Sequence, residues 1–210
     1  MNKTPFSWDL FHKVPIVGIV RGLTLEEVIQ ILPIYRAAGL STIEITMNTP
    51  EVEKIIRYAI DNEQVGLNIG AGTVCTKSDL KKALDAGAQF IVTPILNKKV
   101  IKTCVKEAIP IFPGAFTPSE IHKAWRWGAS MVKIFPATQM GPAYLKELKG
   151  PFDQIKLLPT GGVGLDNMPD FFAAGADGVG IASQLFDKNL IQNKDWNALK
   201  IHFQQFIQKL

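Results

Sequence analysis

The sequence predicts an α/β protein of the (β/α)8 TIM-barrel class, one domain over residues 1–210 with a short helical lead before the first strand. Three observations predict it. β-rich apolar runs alternate with segments of helical period along nearly the whole chain, and there are about eight such runs. Four helical segments end in a small or apolar residue followed by glycine, at Ala38-Gly39, Ala86-Gly87, Trp127-Gly128 and Ala174-Gly175. Each glycine can take the left-handed conformation that closes a helix, and their spacing is one or two multiples of a βα unit of roughly 20–25 residues.

In order, an apolar lead carries Trp8 and Phe11, and the first run is Pro15 to Val20. The others are Thr42 to Met47, Leu67 to Thr73, Phe90 to Thr93, Ile109 to Phe112, Met131 to Phe135, Ile155 to Leu158 and Gly178 to Ile181. Helical segments lie between them at Leu25 to Ala38, Glu51 to Asp61, Ser78 to Ala86, Lys98 to Glu107, Pro118 to Trp127, Pro142 to Leu148 and Asn167 to Ala174. Most carry cap or turn residues at their ends. The spacing Trp196, Leu199, Phe203, Phe206, Ile207 reads as a closing amphipathic helix. An open doubly wound sheet usually has fewer strands, and no GxGxxG follows the first run to suggest a dinucleotide site.

Composition narrows the function classes. With 47% hydrophobic and 20% charged residues the chain reads as an ordinary globular protein, since disordered chains are poorer in apolar residues. No apolar run approaches the roughly 20 residues of a membrane span. The polar start Met1-Asn2-Lys3-Thr4-Pro5 lacks the apolar core of a signal peptide, so a cytoplasmic location is expected. A net charge of +4 is spread over lysines on helix-like segments without interleaved aromatics, which argues against nucleic acid as partner. Cys75 and Cys104 lack CxxC spacing and read as reduced thiols. His12, His122 and His202 fall in helical or leading segments, so no metal site and no histidine base is expected.

Chemistry concentrates at the carboxyl ends of the runs, where barrels of this class build their sites. Lys133 interrupts the apolar sixth run, Met131 to Phe135. It is either a lysine whose amine escapes to water or a buried amine of lowered pKa that can attack a carbonyl carbon. Alternation in Ile43-Glu44-Ile45-Thr46-Met47-Asn48 puts Glu44, Thr46 and Asn48 on one face, with the apolar residues facing the helices. An inward Glu44 can meet an inward Lys133 as a structural salt bridge or as a proton-moving group beside an imine. Arg21, Thr73, Thr93 and Thr117 also fall at run ends, each with a second reading as a cap or turn residue. The loop Pro159-Thr160-Gly161-Gly162-Val163-Gly164 and the end of the eighth run at Ala182-Ser183 sit where such barrels hold a phosphate.

These residues, in register with the runs, resemble the class I 2-keto-3-deoxy-6-phosphogluconate (KDPG) and 4-hydroxy-2-oxoglutarate (KHG) aldolase family. The resemblance covers nearly the whole chain: Glu-Ile-Thr at Glu44, Gly-Ala-Gly-Thr at Gly70 to Thr73, Val-Thr-Pro at Val92 to Pro94, Pro-Gly at Pro113-Gly114, Lys-x-Phe-Pro at Lys133 and Pro-Thr-Gly-Gly at Pro159. It implies a small phosphorylated keto acid as substrate, a Schiff base on Lys133 and general acid–base work by Glu44. It implies that Thr73 holds the pyruvyl carboxylate and that Gly161, Gly162 and Ser183 hold the phosphate, with Arg21 and Thr160 nearby. Pro94 and Phe135 would wall the pyruvyl group. It also implies a homotrimer without metal or cofactor. Asn48 stands where many members carry arginine, as in aldolases that resemble this chain and act on the galactonate epimer. Phosphogalactonate and 4-hydroxy-2-oxoglutarate cleavage therefore stay open as alternatives, as does a barrel that binds a phosphosugar without reacting.

Overall fold

The computed structural model describes residues 5–63 and 66–210; most of the polar start, residues 1–4, lies outside them. Among the described residues nine strands, all paired in parallel, form a sheet of six and a sheet of three. The six-stranded sheet runs in the order β5 (Ile111–Phe112), β4 (Ile91–Val92), β3 (Asn68–Gly72), β2 (Thr42–Thr46), β1 (Ile16–Val20) and β9 (Val179–Ile181). The second sheet is β6 (Gly114–Ala115), β7 (Val132–Ile134) and β8 (Leu157–Pro159). The expected fifth run, Ile109 to Phe112, appears as β5, and a further short strand that the runs did not include, β6, follows Pro113. Proline has no N–H to give a ladder, but its carbonyl accepts the Lys133 N–H at 3.0 Å. On the other flank an isolated parallel bridge pairs Thr160 with Gly180.

Helices follow the strands as the periodicity predicts: α2 (Leu25–Ala37), α3 (Val52–Glu63), α4 (Lys77–Asp85), α5 (Lys98–Lys106), α6 (Pro118–Arg126), α7 (Gly141–Lys149), α8 (Met168–Ala173) and α10 (Trp196–Gln208). The lead is helix α1 (Trp8–Lys13), and one turn the periodicity did not announce, α9 (Lys188–Gln192), precedes the last helix. Thr24, Thr76 and Thr117 start their helices with capping boxes, their hydroxyls accepting from Glu27, Asp79 and Glu120 N–H groups while those carboxylates reach back. Thr117 is therefore a helix cap. Among the described residues no helix is long and apolar enough to cross a membrane.

Strand alternation sorts the side chains into two cores. Ile16, Ile43, Ile45, Ile69, Ile91, Val132 and Ile134 face outward and pack with the apolar stripes of the helices. The opposite faces of the strands contribute Val17, Phe90, Val92, Phe112, Met131 and Leu158, which meet Phe6 and Phe11 from the lead in a separate cluster. This second cluster fills the space toward the amino ends of the strands. Above it the same faces turn polar.

Candidate active site

Period-two alternation carries Glu44 and Lys133 onto the inner faces of β2 and β7. Glu44 is 1% exposed and Lys133 4% exposed. Burial without water favours the uncharged form of each group. The Glu44 carboxyl is accordingly raised above its usual range by burial, with the Lys133 and Arg21 cations pulling it back. The Lys133 amine is lowered by burial, with Glu44 drawing it upward and Arg21 pressing it further down. Its Nζ lies 4.9 Å from the centre of the Phe135 ring, within reach of the π face. Glu44 Oε2 is a fully buried oxygen with no hydrogen-bond partner. A buried carboxylate oxygen in that state can accept a hydrogen bond from a group that is not part of the chain.

The glycines of strand β3 make room for this carboxylate. A Cβ at Gly72 would collide with the Glu44 carboxyl oxygen, and one at Gly70 with the Phe90 ring. Gly114, paired with Lys133 across β6 and β7, lets the chain pass close to Pro94, where a Cβ would lie 2.5 Å from the proline carbonyl carbon. Thr93 ties the same crossing: its hydroxyl donates to the Ile95 carbonyl at 2.5 Å and accepts the Gly114 N–H at 3.3 Å. These spacing glycines were legible only as motif letters. Their physical role needs the third dimension.

A cavity of about 140 Å³ opens beside Lys133. The sequence-predicted residues Arg21, Lys133, Phe135, Thr160, Gly161, Gly162 and Ser183 all line it. Gly161 and Gly162 take φ of +96° and +71°, and a Cβ at Gly162 would approach Thr138 Cα to 2.9 Å, so both conformation and space call for glycine. Asn167 clamps the loop, its Nδ2 donating to the Gly162 carbonyl at 2.8 Å and its Oδ1 accepting the Gly164 N–H at 2.9 Å. Thr160 is buried against Gly180.

Four predicted residues, Glu44 among them, do not line this cavity. Thr73 directly follows Gly72 and is held at φ +57°, a strained conformation for a β-branched residue. Pro94 is reached through the Gly114 crossing. Asn48 is exposed at the end of β2. Beside it Thr49 is buried, its hydroxyl accepting the Gly22 N–H at 3.0 Å and sharing a 3.0 Å hydrogen bond with Thr46. That contact fixes the turn after β1 that carries Arg21, and nothing in the periodicity singled it out. The histidines lie elsewhere, with His12 stacked near Trp8, His122 on Phe152 and His202 at the Gln184 carbonyl oxygen.

A buried amine that lines one small cavity with a glycine loop, coupled electrostatically to a buried carboxyl of opposite displacement, can form an imine and move protons next to it. The family model described as "Aldolase: KDPG and KHG aldolase" matches residues 9–201. The 2-dehydro-3-deoxy-phosphogluconate aldolase of Haemophilus influenzae is 36% identical over 195 residues, covering 91% of this chain and 92% of that protein. The 2-dehydro-3-deoxy-6-phosphogalactonate aldolase of Escherichia coli is 35% identical over 176 residues, covering 83% and 85%. The solved structure of KDPG aldolase from Legionella pneumophila, with pyruvate captured as a covalent carbinolamine, superposes with a TM-score of 0.85 at 27% identity, covering 93% of this chain and 95% of that one.

Proposed function

The chain belongs to the KDPG and KHG aldolase family, and on that premise we propose that it cleaves 2-keto-3-deoxy-6-phosphogluconate to pyruvate and glyceraldehyde 3-phosphate through a Schiff base on Lys133. The observation that carries this reading is the burial of Lys133 and Glu44 on facing strands, each displaced toward its neutral form. The neutral amine attacks C2 of the keto acid, and loss of water gives the protonated imine. Glu44 as carboxylate takes the C4 hydroxyl proton; the C3–C4 bond breaks, the aldehyde leaves, and the electron pair is held by the imine as an enamine. Glu44 then returns the proton to C3, and water releases pyruvate from Lys133. The unpartnered Glu44 oxygen supports this assignment, because the substrate hydroxyl supplies the missing partner.

Around this pair, Thr73 binds the pyruvyl carboxylate, and Pro94 and Phe135 wall the pyruvyl group. Gly161, Gly162 and Ser183 take the phosphate, with Thr160 and the Arg21 cation beside them. Asn48 supports a second reading: it supplies an amide where a bidentate guanidinium would clamp a carboxylate, and it is exposed at the rim of β2. On that reading the galactonate epimer is the preferred substrate. We also assign to this chain a single closed (β/α)8 barrel over residues 1–210. Continuity through Pro113 and the Thr160–Gly180 bridge support the closure. By likeness to the family, a cytoplasmic homotrimer completes the proposal.

Incubation with pyruvate and borohydride should add one reduced pyruvyl group to Lys133, read by peptide mass. Unmodified Lys133 under conditions that label a control class I aldolase would overturn the mechanism. Comparing kcat/KM for the two phosphorylated epimers and for 4-hydroxy-2-oxoglutarate decides among the substrates.

A further inference from the structure

Lys133 and Glu44 stand on different sheets. β7 belongs to the sheet of three and β2 to the sheet of six, so the placement of amine against carboxyl depends on how the two sheets are joined. They meet at two seams. At one, after β8, backbone pairs with backbone in the Thr160–Gly180 bridge. At the other the backbone ladder between β4 and β5 runs as far as the Thr93 N–H on the Phe112 carbonyl, Pro113 follows, and the buried Gly114 N–H turns to a side chain, the Thr93 hydroxyl, at 3.3 Å. Gly114 is the residue of β6 that stands opposite Lys133, and the Pro113 carbonyl beside it accepts the Lys133 N–H. Thr93 is fully buried, and its one hydroxyl proton is committed to the Ile95 carbonyl, which leaves the oxygen lone pairs for Gly114. The helix that follows starts on an Asn97 cap, so capping is not the duty of Thr93. A hydroxyl bonded on both sides ties the end of β4, the Pro94 turn and the strand next to Lys133.

Resting on the Schiff-base aldolase reading, we propose that Thr93 is a positioning residue for the reaction, its hydroxyl fixing the Lys133 sheet against the sheet that carries Glu44. It acts through the backbone rather than on the substrate. The imine needs Lys133 alone as its nucleophile. Taking a proton from the pyruvyl methyl, with the C–H pair passing into the enamine and the proton to Glu44, needs both sheets in place. A misplacement of about 1 Å originating away from the chemistry can cost on the order of a hundredfold in rate. Loss of the hydroxyl should therefore separate the two steps.

The full chain and its Thr93 variants are compared at a temperature where near-UV circular dichroism shows each folded. Steady-state cleavage of the preferred phosphorylated epimer gives kcat and KM, exchange of the pyruvate methyl hydrogens in D2O gives the Glu44 step, and borohydride reduction at saturating pyruvate gives the extent of imine on Lys133. Thr93→Val keeps the shape but leaves the Gly114 N–H without its acceptor. It should lower kcat and methyl exchange together by roughly 10- to 100-fold, with KM and the extent of adduct within about threefold of wild type. Thr93→Ser should return both rates to within about threefold, and Thr93→Ala should show the same split as valine should the valine variant not fold. Wild-type kcat and exchange in a folded Thr93→Val, or a serine variant no better than the valine one, overturns the role of the hydroxyl. Equal losses of adduct, exchange and kcat overturn it too, since the site as a whole has then gone. A wild-type chain that forms no pyruvate adduct overturns the Schiff-base reading beneath it instead.

Discussion

The two ends of the strand interior have the same backbone and opposite chemistry. Toward the amino ends Phe6 packs edge-on to Phe90 and to Phe112 at 5.2 and 6.1 Å, and Trp8 stands perpendicular to Phe11 at 5.9 Å. Even the polar groups there are satisfied: Asn68 accepts the Ser7 N–H and donates to the Ser7 carbonyl and the Thr42 hydroxyl, pinning the lead to β3. Toward the carboxyl ends the same strands carry Lys133 beside a cavity and Glu44 with an oxygen lacking any partner. One end is packed for stability. The other holds buried ionisable groups that cost stability and acquire a use only with substrate present.

If that division is right, substitutions at the two ends should fail in different ways. Lys133→Ala should lower cleavage at least about 10,000-fold, since among the described residues Lys133 is the one lysine lining the cavity, while its urea midpoint stays equal to wild type or rises. Removing the amine relieves a buried cation, and Glu44 can take a proton and remain neutral. A loss of several kcal/mol in the urea melt would make Lys133 a structural ion-pair member and break the contrast. Phe112→Ala should do the reverse, destabilising by about 3–5 kcal/mol through the cavity it leaves among the aromatic rings. Its kcat at low temperature should stay within about threefold of wild type.

A smaller effect probes the border between the ends. Thr49→Val removes the acceptor for the Gly22 N–H and the partner of the Thr46 hydroxyl. The cost should be about 1–3 kcal/mol of stability, with KM for phosphorylated substrate several-fold higher and kcat little changed, because the Arg21 turn loosens. Thr49→Ser should recover most of both, as read by urea melts and steady-state kinetics.

The same contrast explains what the sequence could disclose. Lys133 and Glu44 were legible because a strand has period two, so an apolar set on alternate residues fixes where the others point. Eight runs and their helices were legible for the same reason. The break at Pro113 was not, since a proline beside a glycine at the end of an apolar run reads equally as the end of a strand. Beyond strand ends the period lapses: alternation put Asn48 on the Glu44 face, but β2 ends at Thr46 and Asn48 is exposed, while Thr73 and Pro94, whose binding roles came from resemblance, lie beyond the cavity lining. Thr49 was missed because what marks it is a hydrogen bond across 27 positions.

Arg21 gives the finest measure of how far the carboxyl end is tuned, and its sign can be worked out. Imine formation needs the neutral amine, so the trapping rate with pyruvate and borohydride rises with pH until Lys133 has lost its proton. Burial lowers the Lys133 pKa and the Arg21 cation lowers it further, while Glu44 opposes both. Arg21→Gln keeps the burial and removes one of the two downward pushes. The folded-state pKa must then rise toward the ordinary lysine value of about 10.4, and the rising limb of the trapping rate moves to higher pH. Stability follows the same linkage. A lysine depressed on folding is most costly below its folded pKa, and the cost is relieved as pH climbs from that value to the unfolded one. Arg21→Gln raises the lower edge of this window and so shrinks the total cost. A trapping limb that stays in place, with only KM for phosphorylated substrate increased, would mean that Arg21 meets the substrate but leaves the amine untouched.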